Sequence, residues 1–169
     1  MIQKKICMVG VFGTGKTCLV QQYVHSIFAV KYLSTVGVKI DRKDVKSGDR
    51  DVRLMLWDLE GRDGIRDVNS SYVRGAHGIM YVADGTRRET ADQLFDIRQN
   101  IIGEIGEVPS VIALNKIDLT NEWQLSRDDE KALGSRGLHM IRTSAKTGEG
   151  VEPTFQWLAD AVAEEKQTK

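Results

Sequence analysis

A glycine-rich segment, GVFGTGKT at residues 10–17, follows an apolar run and precedes a segment of helical period. It matches the pattern G-x-x-x-x-G-K-[ST], in which glycines let backbone N–H groups surround phosphate oxygens. In this pattern Lys16 reaches the β- and γ-phosphates of a nucleotide, Thr17 supplies a hydroxyl to Mg²⁺, and the helix N-terminus adds its dipole. The segment therefore predicts a nucleotide-phosphate site that includes a magnesium ion.

Two further polar motifs follow apolar runs that resemble strands: NKID comes after SVIAL, and TSAK ends another such run. Together they indicate a site for guanine. The Asp118 carboxylate can accept two hydrogen bonds from the amidine edge of guanine, which adenine does not present. The stem of Lys116 can cover the ring, Asn115 can tie loops together, and the N–H of Ala145 can donate to the guanine carbonyl. Because buried polar groups reject a base that leaves them unpaired, we predict selectivity for guanine.

The elements that must position these motifs alternate between short apolar runs and longer segments of helical period. Six strands are predicted, at KKICMVG, KDVKSG, DVRLMLWD, GIMYVAD, PSVIALN and LHMIRTS. A hairpin turn at SGDR, residues 47–50, makes the second and third strands antiparallel, while the others are parallel. We predict one domain over residues 1–169, an α/β fold with a doubly wound, mostly parallel six-stranded sheet and one antiparallel edge strand.

Helix positions follow from apolar spacing and from capping residues. Two apolar stripes are predicted to face the core: Leu94, Ile97 and Ile101, and then Val151, Phe155, Leu158 and Val162. Ser126 and Asp129 form a capping-box pattern that starts a helix, and Gly134 with Gly137 should end it. Pro153 suits the first turn of the last helix, where no backbone donor is needed.

Composition excludes several classes of function. The 24 Lys and Arg residues balance 24 Asp and Glu residues, so no net positive field attracts nucleic acid. The two cysteines suit reduced thiols in a cytosolic compartment better than a disulfide framework. No apolar segment approaches the roughly 18 residues that a membrane span requires. We therefore expect a soluble, cytoplasmic protein that does not bind nucleic acid.

The motifs GVFGTGKT, DLEG, NKID and TSAK, in this order with Thr35, resemble those of the Ras superfamily of small GTPases along nearly the whole chain. The segments YLSTVGVKI and YVRGAHGIMYVADGT look most like the Rab branch. The resemblance implies a small G-protein fold of the P-loop NTPase type. It also implies that Thr35 ligates Mg²⁺ and donates its N–H to the γ-phosphate, and that Phe28 packs against guanine. Asp58 would then hold Mg²⁺ through water, and the N–H of Gly61 would contact the γ-phosphate.

These arguments give three sets of candidate site residues. Residues expected to bind GTP or GDP are Gly13, Thr14, Gly15, Lys16, Thr17, Cys18, Phe28, Thr35, Gly61, Asn115, Lys116, Asp118, Ser144, Ala145 and Lys146. The residues expected to hold Mg²⁺ are Thr17, Thr35 and Asp58. The candidate catalytic residues are Lys16, Thr35, Gly61 and Arg62.

The sequence departs from the family pattern in three places. Leu59 and Glu60 stand where the family commonly has Thr-Ala, which still fits the looser D-x-x-G pattern. Arg62 replaces the usual glutamine that orients the attacking water, and a guanidinium has five donors and no acceptor. Phe12 replaces a small residue, and its ring would crowd the space beside the γ-phosphate unless the side chain turns into solvent. We therefore expect slow GTP hydrolysis.

The leading hypothesis is a guanine-nucleotide-dependent switch that binds an effector, an exchange factor and an activating protein through residues 32–40 and 58–74. The alternatives are a hydrolysis-deficient guanine-nucleotide-binding module, reset only by exchange, and a P-loop kinase or ATPase. The last is disfavoured because NKID and TSAK would then have no role. A monomer is expected, and the terminal AVAEEKQTK has no cysteine for a prenyl anchor.

Overall fold

The computed structural model describes residues 1–28, 37–59, 70–135 and 137–164. Within these ranges the elements, in chain order, are β1 (Ile2–Val9), α1 (Lys16–His25), β2 (Val38–Ser47), β3 (Arg50–Leu59), α2 (Ser70–Val73), β4 (Gly78–Asp84), α3 (Arg88–Asp92), α4 (Leu94–Ile105), β5 (Ser110–Asn115), a 3₁₀ turn (Thr120–Glu122), α5 (Arg127–Gly134), β6 (His139–Arg142) and α6 (Val151–Glu164).

The strands form one sheet in the order β2-β3-β1-β4-β5-β6, with β2 antiparallel to β3 and the other neighbours parallel. The predicted doubly wound α/β sheet with an antiparallel edge strand is confirmed. The hairpin at SGDR is confirmed as well, since Gly48 joins β2 to β3 with φ of 57°. Glycine adopts this left-handed conformation without steric cost.

Both faces of the sheet are covered, as the apolar strands predicted. In β1, Ile6 and Met8 belong to one core cluster, while Cys7 and Val9 belong to a second cluster on the opposite face. The predicted core stripes are buried: Leu94, Ile97 and Ile101 lie in the second cluster, and Val151, Phe155, Leu158 and Val162 lie in the first. Alternate residues of a strand thus bury against different helices.

Packing between α1 and α6 fixes the helix that follows the glycine-rich loop. The rings of Tyr23 in α1 and Phe155 in α6 stack with centroids 4.0 Å apart and planes within 1°. Leu19 and Val20 of α1 are 1% exposed and join the same cluster. The start of α1, which carries Lys16, is therefore anchored by the core.

The predicted start and end of α5, and the predicted position of Pro153 in the last helix, agree with the structure. Ser126 and Asp129 form a capping box in which each side chain accepts a hydrogen bond from the other residue's backbone N–H. The helix ends at Gly134, and Gly137 rather than Gly134 adopts the left-handed conformation, with φ of 78°. Pro153 lies in the first turn of α6.

Two predicted strands differ from the observed ones by more than two residues in length. β2 begins at Val38, earlier than the KDVKSG pattern indicated, because it pairs with β3 along its whole length at an exposed edge. β6 has only four residues, 139–142, since it is the opposite edge and its last apolar position is Ile141. None of the helices within the described ranges is long and apolar enough to cross a membrane.

Candidate functional site

The order of the strands brings the predicted polar loops together at the carboxyl ends of the parallel strands. Strand β1 lies between β3 and β4, so the loop of residues 10–17 emerges between their ends. Met8 is in register with Asp58 of β3, and Asp84 of β4 is in register with Asn115 of β5. This is the position at which ligands bind in open α/β sheets, outside the carboxyl ends of the strands.

Each backbone carbonyl of residues 10–15 accepts a hydrogen bond. The donors are Lys16 Nζ to Gly10 and Val11 (3.0 Å each), Arg87 Nη1 to Phe12 (2.9 Å), Lys116 Nζ to Gly13 (2.9 Å), Asn115 Nδ2 to Thr14 (3.0 Å) and Leu19 N to Gly15 (2.9 Å). These bonds hold the loop in its shape, and its N–H groups are the backbone groups that phosphate oxygens can use. Thr14 Oγ1 donates a further bond to the Val11 carbonyl at 3.1 Å, from within the loop, and we call the other six bonds the six carbonyl bonds of the P-loop.

The close approach of Asn115 explains one glycine in this loop. Gly15 has φ of 100°, and a Cβ there would lie 2.3 Å from Asn115 Nδ2. A side chain at this position would push away the amide that binds the Thr14 carbonyl.

Lys16, the cation of this loop, is buried, with 6% of its surface exposed. Burial lowers the pKa of Lys16 to about 8; the nearby Asp58 carboxylate opposes this shift, and the charge of Arg87 adds to it. Within the described part of the chain, the hydrogen bonds of this buried ammonium group go to neutral carbonyls, and a phosphate oxyanion would be a better partner.

The NKID and TSAK loops are joined through Asn115 and Asp118. Asn115 Oδ1 accepts from Thr143 Oγ1 at 3.1 Å and, more weakly, from the Ala145 N–H at 3.3 Å. Asp118 Oδ1 accepts from Ser144 Oγ at 2.8 Å, which orients the carboxylate. Since Asn115 also binds the Thr14 carbonyl, the predicted base and phosphate loops form one connected network.

A buried aspartate, Asp84, which belongs to none of the sequence motifs, completes this network. Asp84, at 0% exposure, lies 2.8 Å from Lys116 Nζ and accepts hydrogen bonds from the N–H and hydroxyl of Thr86. Lys116 has φ of 71°, a left-handed conformation that is uncommon outside glycine. The ion pair with Asp84 holds the Lys116 side chain where its Nζ atom donates to the Gly13 carbonyl. The sequence did indicate a possible site residue here, because the apolar strand GIMYVAD ends in this carboxylate.

The other candidates differ in how well the structure defines them. Thr35, Gly61 and Arg62 lie outside the described residues. Phe28 is 39% exposed, which is more than a core residue would be. Phe12 is 40% exposed, so much of its ring faces solvent and its effect on the γ-phosphate remains a prediction.

Thr17 and Asp58 supply oxygen atoms that suit magnesium. Thr17 Oγ1 donates to Asp58 Oδ2 at 2.6 Å, and Asp58 is 1% exposed. Among the described residues no group of three or more His, Cys, Asp and Glu side chains could hold a metal by itself. This donor set fits Mg²⁺, which commonly uses one or two protein oxygens together with substrate phosphates and water.

Comparison with known proteins identifies the family. The sequence model of the Ras family matches residues 5–164. The chain is 33% identical over 161 residues to the Ras-related protein Rab-1 of Theileria parva, covering 94% of this chain and 73% of the relative. The chain belongs to the Ras family. Further relatives of this Ras-family protein are the Ras-related proteins RIC1 of Oryza sativa subsp. japonica, at 32% identity, and RABD2c of Arabidopsis thaliana, at 31% identity, each covering 94% of this chain and 79% of the relative.

Membership confirms the resemblance to Rab-like small GTPases that the motifs indicated. This Ras-family protein is a GTP-binding molecular switch and a GTPase, with the P-loop G-protein fold. The comparisons do not favour the hydrolysis-deficient alternative, whereas the slowness of hydrolysis remains a prediction.

Cys18 provides a direct test of where the nucleotide binds, because it follows Thr17 and is half-buried. Burial raises the pKa of both thiols, that of the fully buried Cys7 to about 12, so Cys7 should stay unreactive while the more accessible Cys18 reacts slowly. Iodoacetamide at pH 8.5 should therefore add one label, at Cys18, and saturating GDP should slow the labelling at least about tenfold, since labelling follows the unoccupied fraction. Intact-mass measurement records the label, and Cys18→Ser is the control. Equal labelling rates with and without GDP would contradict this position.

Proposed function

We propose that the loops at this sheet edge bind GTP or GDP with Mg²⁺ and that the protein slowly hydrolyses GTP to GDP and phosphate. The observation that carries the proposal is the position of Asn115. Its side chain binds the phosphate loop at Thr14 and the TSAK loop at Thr143 and Ala145. A ligand that contacts both loops could therefore place its phosphates against one loop and its base against the other.

The phosphate end is proposed to lie against the N–H groups of residues 13–18. Lys16 would exchange its carbonyl partners for phosphate oxygens, which is favourable for a buried cation. Thr17, Asp58 and Thr35 would hold Mg²⁺, Asp58 through water. When bound, the ion supplies charge neutralisation at the β- and γ-phosphates.

The base end is proposed to be read by Asp118, with Ala145 donating to the guanine carbonyl and Lys116 and Phe28 covering the ring. Ser144 and Lys146 complete this end, Ser144 by orienting the Asp118 carboxylate. The exposed fraction of Phe28 supports a role in contacting a ligand. Adenine would leave the Asp118 carboxylate without its two donors.

Hydrolysis requires a water molecule to attack the γ-phosphorus while the bond to the β-phosphate oxygen breaks. Lys16 and the N–H groups of Thr35 and Gly61 would stabilise the charge on the phosphate oxygens. Arg62 adds positive charge but has no acceptor with which to orient the water. Slow turnover follows from that difference.

Regulatory proteins are expected for a member of this family. We propose that an effector, an exchange factor and an activating protein contact residues 32–40 and 58–74. In support, Ile40 is an apolar residue on the edge strand with 46% of its surface exposed. We also propose that the protein is a cytoplasmic monomer and that residues 1–169 form a single domain. It is not expected to bind nucleic acid.

A competition experiment tests the base site. The protein is loaded with a fluorescent GDP derivative, and unlabelled nucleotides are added in the presence of Mg²⁺. We expect GTP and GDP to displace the label at similar concentrations, whereas ATP should fail at about a 10³-fold excess. If ATP displaced the label as well as GTP, the kinase or ATPase alternative would replace this proposal.

A further inference from the structure

The six carbonyl bonds of the P-loop have donors in different parts of the chain. Lys116 and Asn115, of the NKID loop, bind the carbonyls of Gly13 and Thr14. The Phe12 carbonyl is instead bound by Arg87, a residue 75 positions away that belongs to none of the sequence motifs. The Arg87 Nη1 atom lies 2.9 Å from the Phe12 oxygen, and its Nε atom lies 3.3 Å from Glu89 Oε1. The guanidinium is therefore held in a defined orientation.

The position of Arg87 corresponds to the γ-phosphate end of the loop. Lys16, the residue that reaches the β- and γ-phosphates in this motif, rests on the carbonyls of Gly10 and Val11, which directly precede Phe12. The NKID bonds lie further along the loop, on the side of the base. Arg87 thus lies beside the part of the loop that distinguishes a triphosphate from a diphosphate.

Two cations, Lys16 and Arg87, bind consecutive carbonyls at this end of the loop. Lys16 Nζ binds the Gly10 and Val11 carbonyls and Arg87 Nη1 binds the next one, that of Phe12, so the two positive charges lie along the same three residues. Like charges held close together destabilise each other, and an anion that meets both relieves the repulsion. Glu89 compensates Arg87 only in part, because its side chain is 59% exposed. A γ-phosphate is the anion that this arrangement would accommodate.

We propose that Arg87 is a positioning residue for the triphosphate: it holds the Phe12 carbonyl away from the nucleotide and adds positive charge at the γ-phosphate, so that it favours GTP over GDP. This inference rests on the proposed nucleotide site. It assigns a role in specificity to a residue outside the P-loop, D-x-x-G, NKID and TSAK motifs.

The test compares equilibrium dissociation constants for GDP and for a non-hydrolysable GTP analogue with an imido bridge between the β- and γ-phosphates. Arg87→Ala should weaken binding of the analogue about tenfold, as expected when one charge-assisted contact is lost, and weaken GDP by less than about twofold. Arg87→Lys, which keeps the charge, should restore part of the preference for the analogue. Arg88→Ala is the matched control, because the Arg88 guanidinium pairs with Asp129 instead, at 2.7 and 3.1 Å.

The outcomes separate this inference from the nucleotide site itself. If the unmodified protein bound neither nucleotide, the proposed function would fail. If it bound both, and Arg87→Ala weakened both equally or neither, only the role of Arg87 would be overturned. The same would hold if Arg88→Ala reproduced the effect. Thermal unfolding of each variant excludes general destabilisation as the cause.

Discussion

Asp118→Asn should lower the affinity for GTP by about 10²- to 10³-fold, because two hydrogen bonds from guanine to a charged acceptor are replaced by at most one good bond. The same substitution should raise the affinity for xanthosine triphosphate. Xanthine has a carbonyl where guanine has its amino group, and the asparagine amide can donate to it. Ser144 Oγ, which donates to Asp118 Oδ1 at 2.8 Å, can keep donating to an amide oxygen. The orientation of the side chain should therefore survive.

Competition with a fluorescent nucleotide measures both affinities. Asp118→Ala serves as the control, since it removes the acceptor without supplying a donor and should lose GTP without gaining the xanthosine nucleotide. An Asp118→Asn protein that kept its preference for GTP would show that the base is read elsewhere.

Much of the fold could be predicted because the signals are local. The strand GIMYVAD was predicted at its observed bounds, since a short run that is apolar throughout indicates a strand covered on both faces. The capping box at Ser126 was visible because both partners lie within four residues. β2 was predicted too short, because its first residues are held by pairing with β3 and not by their own pattern.

The contacts that complete the site were not predictable in the same way. Lys116 and Gly13 are 103 residues apart, and Arg87 and Phe12 are 75 apart. Such contacts depend on the order of strands in the sheet, which no local window contains. Asp84 could have been suspected, since it ends a central strand, but its ion pair with Lys116 requires β4 and β5 to be neighbours.

Replacing both Phe12 and Arg62 should accelerate hydrolysis more than the two single substitutions together. Arg62→Gln restores an acceptor that can orient the attacking water, and Phe12→Gly removes a ring expected to crowd the γ-phosphate. We expect a gain of about 10- to 100-fold in the double variant, because the glutamine carbonyl would position the attacking water, and misplacement of a reacting group can cost about 10²-fold. Arg62→Gln alone should give a smaller gain, because the Phe12 ring is expected to crowd the space beside the γ-phosphate.

Single-turnover phosphate release, measured for the four proteins of this double-mutant cycle, yields the coupling between the two side chains. The Phe12→Gly substitution keeps the hydrogen bond from Arg87, because that bond is made to the backbone carbonyl of Phe12 and not to the ring. A lower rate with Arg62→Gln in both backgrounds would reverse the interpretation. Arg62 would then stabilise charge in the transition state, as an arginine supplied in cis can do.

The six carbonyl bonds of the P-loop also bear on the timing of nucleotide exchange. A loop whose carbonyls are already bound, in part to strands elsewhere in the sheet, has little conformational entropy left to lose when phosphate arrives. Association should then be fast and similar among guanine nucleotides, so that differences in their affinity arise from dissociation. Acceleration of GDP release would therefore require an exchange factor to disturb bonds whose donors lie at the end of β5 and in the segments that follow β4 and β5, outside the loop itself.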